Sequence, residues 1–214
     1  MIAIEIFTFN ALQENTYVLY DETKECIIID AGCYDKDEQN ELKAFISENN
    51  LKPVMLVNTH SHVDHVLGVK FLKDLYHLKF YIHKIDEETL RSVKLYSRLY
   101  GFPNYQEPEA NGFIAEGEKI KFGNSELDIF FTPGHAPGHV VFVNKEQKIC
   151  IAGDVLFKGS VGRSDLPGGN HETLIKSIHE KLFVLPDDTI VFPGHGPETT
   201  IGREKKTNPY CAIH

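Results

Sequence analysis

Apolar and polar positions along the chain follow two periods that alternate in blocks. Short β-rich runs at residues 2–9, 15–20 and 25–30, separated by polar turns such as 21–24, predict an antiparallel meander. From 35 to 49 the apolar residues Leu42, Phe45 and Ile46 fall at helical spacing, and the Asn49–Asn50 pair and Pro53 end the helix. A compact apolar strand at 54–58 leads into a polar loop, 59–65, and then a helix over 66–76. A strand at 80–82 and a helix at 84–99 follow. Residues 101–112, rich in Pro, Asn and Glu, predict an irregular loop. Strands at 119–122, 126–132, 139–143 and 149–152, a helix at 172–183 and a last strand at 189–192 complete the pattern. Strands and helices, then strands and helices again, suit two packed mixed β-sheets with helices on the outer faces, an αββα sandwich. No linker-like stretch interrupts the chain, so residues 1–214 are expected to form a single domain.

The polar loop changes the picture. Thr59-His60-Ser61-His62-Val63-Asp64-His65 places four metal-type side chains between a strand and a helix. Residues two apart in extended backbone point the same way, so His60, His62 and Asp64 can converge while His65 turns to a second point nearby. Shuffling this composition yields H-x-H-x-D-H in about one chain in 600, so the cluster stands out from scattered surface histidines. Two later segments echo one another: Ile129 to His135 and Ile190 to His195 each run from a strand into Pro-Gly-His. Asp154 follows a strand at Gly153. Asp30 closes the third strand, either close to the metals or as a turn cap.

Composition is that of a globular protein, 42% hydrophobic and 25% charged over 214 residues. A net charge of −9 argues against nucleic-acid binding, and the short basic run Arg203 to Lys206 reads as a solvated helix face. No apolar stretch is long enough to span a bilayer, and the first residues read as a strand, not a signal peptide. Cys26, Cys33, Cys150 and Cys211 form no C-x-x-C pair, which predicts free thiols and a cytoplasmic location.

Taken in order, H-x-H-x-D-H, His135, Asp154 and His195 resemble the metal-binding signature of the metallo-β-lactamase superfamily, from end to end of the chain. Within it the chain looks most like the short bacterial glyoxalase II-like (hydroxyacylglutathione hydrolase-like) proteins, through Phe157 to Gly169, Gly194 to Gly202 and Thr207 to Tyr210. The resemblance implies two divalent ions, zinc first, with iron or manganese as alternatives. His60, His62 and His135 would bind one, Asp64, His65 and His195 the other, and Asp154 would bridge them. Asp64 is expected to orient a metal-bound hydroxide that attacks a hydroxyacyl thioester such as S-lactoylglutathione. Arg163, where longer enzymes carry a glutathione-contacting lysine, is the candidate anchor for an acidic substrate tail. Tyr17 and Tyr210 are candidate lining residues, or core and rim. His139 is either placed near the ligands or substrate, or purely structural. The helical extension that holds glutathione in the longer enzymes is absent from the sequence.

A mononuclear-iron persulfide dioxygenase is the main alternative, with iron on His60, His135 and Asp154. Lactone hydrolysis is a further one. β-Lactam hydrolysis is disfavoured because the best-known branch places a cysteine in the second site and lacks a His after the motif Asp. A flavin-coupled reductase would need another domain. An inactive metal-binding protein is disfavoured because all seven ligand positions are filled. The expected partner is a small acyl-thiol, with no nucleic acid or membrane, and the chain is expected to be a monomer or homodimer.

Overall fold

A computed structural model describes residues 1–213. The chain divides into two compact units, one comprising residues 1–114 and 121–126 and the other 115–120 and the described residues from 127 onward. The chain crosses between them more than once, which is why no linker marks the division in the sequence.

The first unit holds β1 (Ala3–Phe9), β2 (Glu14–Tyr20), β3 (Glu25–Ile29), α1 (Lys36–Glu48), β4 (Lys52–Val57), α2 (Val63–Val66), α3 (Val69–Tyr76), β5 (Phe80–His83), α4 (Glu87–Tyr96) and β6 (Gly112–Ile114). Its six strands lie in sequence order in one mixed sheet, β1 to β3 antiparallel and β3 to β6 parallel. The meander was legible because Val18, Ile28 and Leu56 bring apolar runs to a common core, which α1 and α3 cover with Leu42, Ile46, Val69 and Leu72. Asp35 caps α1, accepting from the backbone N–H groups of Asp37 and Glu38.

Two sequence expectations change here. Residues 101–111 are irregular as expected, but they lead into a strand the sequence did not suggest, β6, paired in parallel with β5. The helix expected from residue 66 begins instead at Val63 and breaks at Leu67–Gly68 before α3. At the break the Gly68 N–H donates outside the helix, to Ala31 O at 2.7 Å, in a place where a Cβ would lie 2.8 Å from the Cys33 carbonyl oxygen and only glycine fits.

The second unit's sheet runs β14 (Thr199–Thr200), β13 (Ile190–Pro193), β10 (Ile149–Gly153), β9 (Val140–Asn144), β8 (Ser125–Phe131) and β7 (Lys119–Phe122). In it β10 and β13 pair in parallel, while β9–β10, β8–β9 and β13–β14 are antiparallel. The small hairpin of β11 (Leu156–Phe157) and β12 (Ser160–Val161), α5 (His171–Ser177), which continues as a π-helical turn to Leu182, and α6 (Ile201–Thr207) surround it. Val141, Cys150, Ala152, Leu174, Ile178 and Val191 form this unit's core. Buried Glu204 ties α6 to its surroundings by accepting from Thr199 Oγ1, Gly159 N–H (2.9 Å) and Asn208 Nδ2 (2.8 Å).

Candidate metal centre

In each unit most of the candidate ligands, His135 excepted, leave the carboxyl ends of neighbouring parallel strands, the position where α/β sheets gather binding loops. In the first unit β3 and β4 pair in parallel, Ile29 opposite Val57, so Asp30 and the loop from Asn58 emerge side by side. Asp30 adopts a left-handed conformation, φ 53°, which aspartate tolerates better than most residues. That turn sends its carboxylate back to accept from the Thr59 N–H (2.7 Å) and Thr59 Oγ1 (2.6 Å). With its proton committed to Asp30, Thr59 Oγ1 accepts at 3.1 Å from His60 Nδ1, which leaves His60 Nε2 unprotonated, the form a metal ligand takes. His65 Nδ1 lies 3.1 Å from Asp30 Oδ2, and this likewise frees its Nε2, 3.6 Å from Asp64 Oδ2.

His60 and His62, the last extended residues before α2, keep their rings 4.7 Å apart; His65, a turn into the helix, brings its ring to 4.1 Å from His60. Asp64 and His65 therefore sit on a helix, not on the loop expected from the sequence. Asp30, His60 and His65 offer ligand-type atoms all within 4.8 Å of one another. The loop is closed from behind by Asn58, whose Nδ2 donates to the carbonyls of His60 (3.2 Å) and His65 (2.7 Å). Asn10 Nδ2 donates to Asp64 O at 3.2 Å.

Glu14, fully buried, completes this surrounding layer: its Oε2 accepts from Thr16 Oγ1, and Thr16 Oγ1 in turn accepts from the Gly32 N–H. No side chain fits at residue 32, because a Cβ would stand 1.9 Å from Glu14 Oε2. Burial pushes the Glu14 carboxyl well above its ordinary value; His65 pulls it down, Asp30 and Asp64 push it up, and the Thr16 hydroxyl pulls it down. In the metal-free protein the folded state thus keeps a proton that the unfolded chain releases. That contribution favours folding below the unfolded pKa and is lost as pH rises towards the folded one. Glu14→Gln is expected to raise the urea midpoint of metal-free protein near about pH 8 while leaving it little changed near about pH 4. An equal shift at both pH values would show that the carboxyl is not protonated in the fold.

In the second unit β10 and β13 run parallel, Gly153 opposite Pro193, and the Gly194 N–H donates to Gly153 O at 2.8 Å. Asp154 and His195 therefore leave adjacent strand ends, with His195 Nε2 3.6 Å from Asp154 Oδ2. His135, on the loop after β8, puts its Nε2 3.5 Å from the same oxygen. Its Nδ1 lies 2.7 Å from the Arg163 carbonyl, which holds the proton on Nδ1 and frees Nε2.

The donor set fits a metal. Two ligand atoms each about 2.1 Å from a tetrahedral ion stand about 3.4 Å apart. The His135–Asp154, His195–Asp154 and His65–Asp64 separations of 3.5, 3.6 and 3.6 Å are near that value, beyond ordinary hydrogen-bond length. Unprotonated imidazole nitrogens beside carboxylates are the chemistry that zinc, iron and manganese accept.

The remaining candidates fall elsewhere. Arg163 contributes its carbonyl to His135, while its guanidinium pairs bidentately with Asp165 at 2.8 Å in both contacts. That pairing, by hydrogen bonds from Arg163, holds the exposed Asp165 carboxyl at about 2. Tyr17 is 1% exposed within β2, which fits the core alternative of the two expected for it. Tyr210 is 58% exposed beside the C-terminal helix. His139 is buried and bonds the Asp154 backbone, which removes it from substrate contact. Glu14, Asn10 and Asn58 were missed by sequence reasoning; the polar run Glu14-Asn15-Thr16 inside an otherwise apolar strand was the available signal.

A family model of the Metallo-beta-lactamase superfamily matches residues 9–195. The chain belongs to the metallo-β-lactamase superfamily. It is 39% identical to a hydroxyacylglutathione hydrolase, GloC, of Haemophilus influenzae, over 97% of each chain. A crystal structure of the B3 metallo-β-lactamase BLEG-1 matches with a TM-score of 0.90 at 34% identity, covering 99% of this chain and 100% of that one. A di-iron-bound form of TTHA1623 matches at 0.85 with 37% identity, covering 96% and 99%. These likenesses bear out the αββα class expected from the sequence. Among the described residues no helix is long and apolar enough to cross a membrane.

Proposed function

We propose that the chain is a dinuclear metallohydrolase that cleaves hydroxyacyl thioesters such as S-lactoylglutathione. The observation that carries this reading is the 39% identity with the hydroxyacylglutathione hydrolase over 97% of both chains, supported within each unit by the 3.5–3.6 Å separations of His135 and His195 from Asp154 and of His65 from Asp64. In this reading His60, His62 and His135 would hold one ion, Asp64, His65 and His195 the other, and Asp154 would serve both. Zinc is the first choice; the di-iron neighbour keeps iron in the reading, and manganese remains an alternative.

When bound, the ions supply Lewis acidity and lower the pKa of a water from about 15.7 to about 7. The chain's own residues do the rest. Asp64, held by α2, accepts a hydrogen bond from the attacking oxygen and fixes its direction. Asp30 and the Arg163 carbonyl keep His65 and His135 in the tautomer that turns Nε2 inward. The leaving thiol, with an ordinary pKa near about 8.5, departs as thiolate without a strong acid beside it. Arg163 anchors an acidic substrate tail by exchanging its pairing with Asp165. The four cysteines, all free and buried, support a cytoplasmic location.

The test is thiol release from S-lactoylglutathione by purified, metal-loaded protein, with oxygen uptake on glutathione persulfide and cephalosporin hydrolysis as parallel arms. Thiol release that stops on chelation and returns on reloading is expected. Silence there with oxygen uptake would install the persulfide dioxygenase. Cephalosporin turnover alone would install the activity named for the BLEG-1 neighbour.

A further inference from the structure

We propose that His139 is a positioning residue: its neutral Nδ1–H imidazole fixes the backbone of Asp154 and so aims the carboxylate shared by His135 and His195. The inference rests on the reading of Asp154 as a metal ligand, but its structural half stands on hydrogen bonds alone.

His139 lies fully buried, four residues after His135. Its Nε2 accepts from the Asp154 N–H at 3.0 Å. A backbone amide can only donate, so Nε2 carries no proton and the ring's single proton sits on Nδ1. There it meets Thr132 Oγ1 at 3.3 Å, and the Thr132 N–H donates to His139 O at 2.9 Å. One ring therefore joins both ends of the loop 132–139, which carries His135, to the first residue after β10. On the other side of Asp154 the chain is just as close: a Cβ on Gly162 would stand 1.9 Å from the Asp154 carbonyl oxygen. Asp154 is thus held at its N–H by His139 and confined at its C=O by Gly162. With both backbone groups fixed, Asp154 Oδ2 stays 3.5 Å from His135 Nε2 and 3.6 Å from His195 Nε2.

A merely structural staple would affect stability and leave the metal site's affinity intact once the protein is folded. A positioning residue changes affinity in folded protein, typically by about 10–100-fold for groups that orient ligands. Glutamine can replace both functions, its amide oxygen accepting from Asp154 and its NH₂ donating to Thr132; leucine can replace neither.

The experiment compares wild type, His139→Gln, His139→Leu and Thr132→Val. In metal-free, ¹⁵N-labelled wild type, long-range ¹H–¹⁵N correlation should place the His139 proton on Nδ1, and the Asp154 amide should be protected from hydrogen exchange. Protection should persist in His139→Gln and vanish in His139→Leu. Competition with a chromophoric chelator should show zinc bound about 10–100-fold more weakly by His139→Leu and within a few-fold of wild type by His139→Gln. Thr132→Val, which removes the Nδ1 acceptor, should weaken zinc by a smaller factor and serves if His139→Leu does not fold. A proton on Nε2, or wild-type zinc affinity in folded His139→Leu or, failing that, in Thr132→Val, would overturn the proposal. Failure of the thioester assay with these results intact would count against the proposed reaction alone.

Discussion

Asp154→Ala is expected to lower thioester turnover by about 10³-fold, equivalent to about 4 kcal/mol of transition-state stabilisation, and to reduce metal content below two ions per chain. The size follows from what the carboxylate touches. Asp154 Oδ2 stands within 3.6 Å of both His135 Nε2 and His195 Nε2, so its removal leaves two imidazoles with no anion between them. Two cations held close together repel strongly, and a shared carboxylate is the group that offsets this repulsion. Asp154→Asn preserves shape and deletes charge; it should fall between wild type and alanine in metal content but near alanine in kcat. Elemental analysis alongside kcat/KM separates the two effects. Two ions retained with near wild-type kcat would show that Asp154 does not bridge.

How much of this was legible beforehand depends on the range of the forces involved. The strands of the first sheet could be read because Val18, Ile28 and Leu56 sit in short apolar runs whose burial is decided locally. The ligand loop could be read because His60 and His62 alternate in extended backbone, which local geometry enforces. The start of α2 could not. Asp64 and His65 enter a helix whose carbonyls are held from outside it, that of His65 by Asn58 just after β4 and that of Asp64 by Asn10, 54 positions away in the turn after β1. Short elements such as β11, β12 and β14 carry too few residues for a period to show, and they are held by Glu204 through Gly159 and Thr199. Arg163 illustrates a different limit. Its side chain invited a substrate role, whereas the contact it makes with His135 is through its carbonyl, which every residue type possesses. His139 was visible as a histidine near a ligand; that its Nε2 meets the Asp154 amide is a tertiary fact.

Asp30→Ala is expected to destabilise the metal-free protein by about 3–5 kcal/mol, the second large effect. Two donors lose their hydrogen-bond partner together, the Thr59 N–H and Thr59 Oγ1, and His65 Nδ1 loses the carboxylate 3.1 Å away. All three are buried, so water does not replace the carboxylate at low cost, and each donor left unpaired costs about 1–3 kcal/mol. Alanine is also poorer than aspartate at φ 53°, which adds strain at the end of β3. The loss should reach the metal site by a definite route. Once Thr59 Oγ1 is free to donate elsewhere, His60 Nδ1 loses its acceptor; His65 loses the anion that keeps its proton on Nδ1. Zinc affinity is therefore expected to fall by about 10–100-fold even in Asp30→Asn, which restores an acceptor for the Thr59 N–H but brings no negative charge to His65. Urea midpoints of the metal-free proteins measure the first effect, and chelator competition on the folded fraction measures the second. If Asp30→Asn binds zinc as tightly as wild type, the charge of Asp30 plays no part in orienting His65, and its role reduces to pinning Thr59 at the end of the strand.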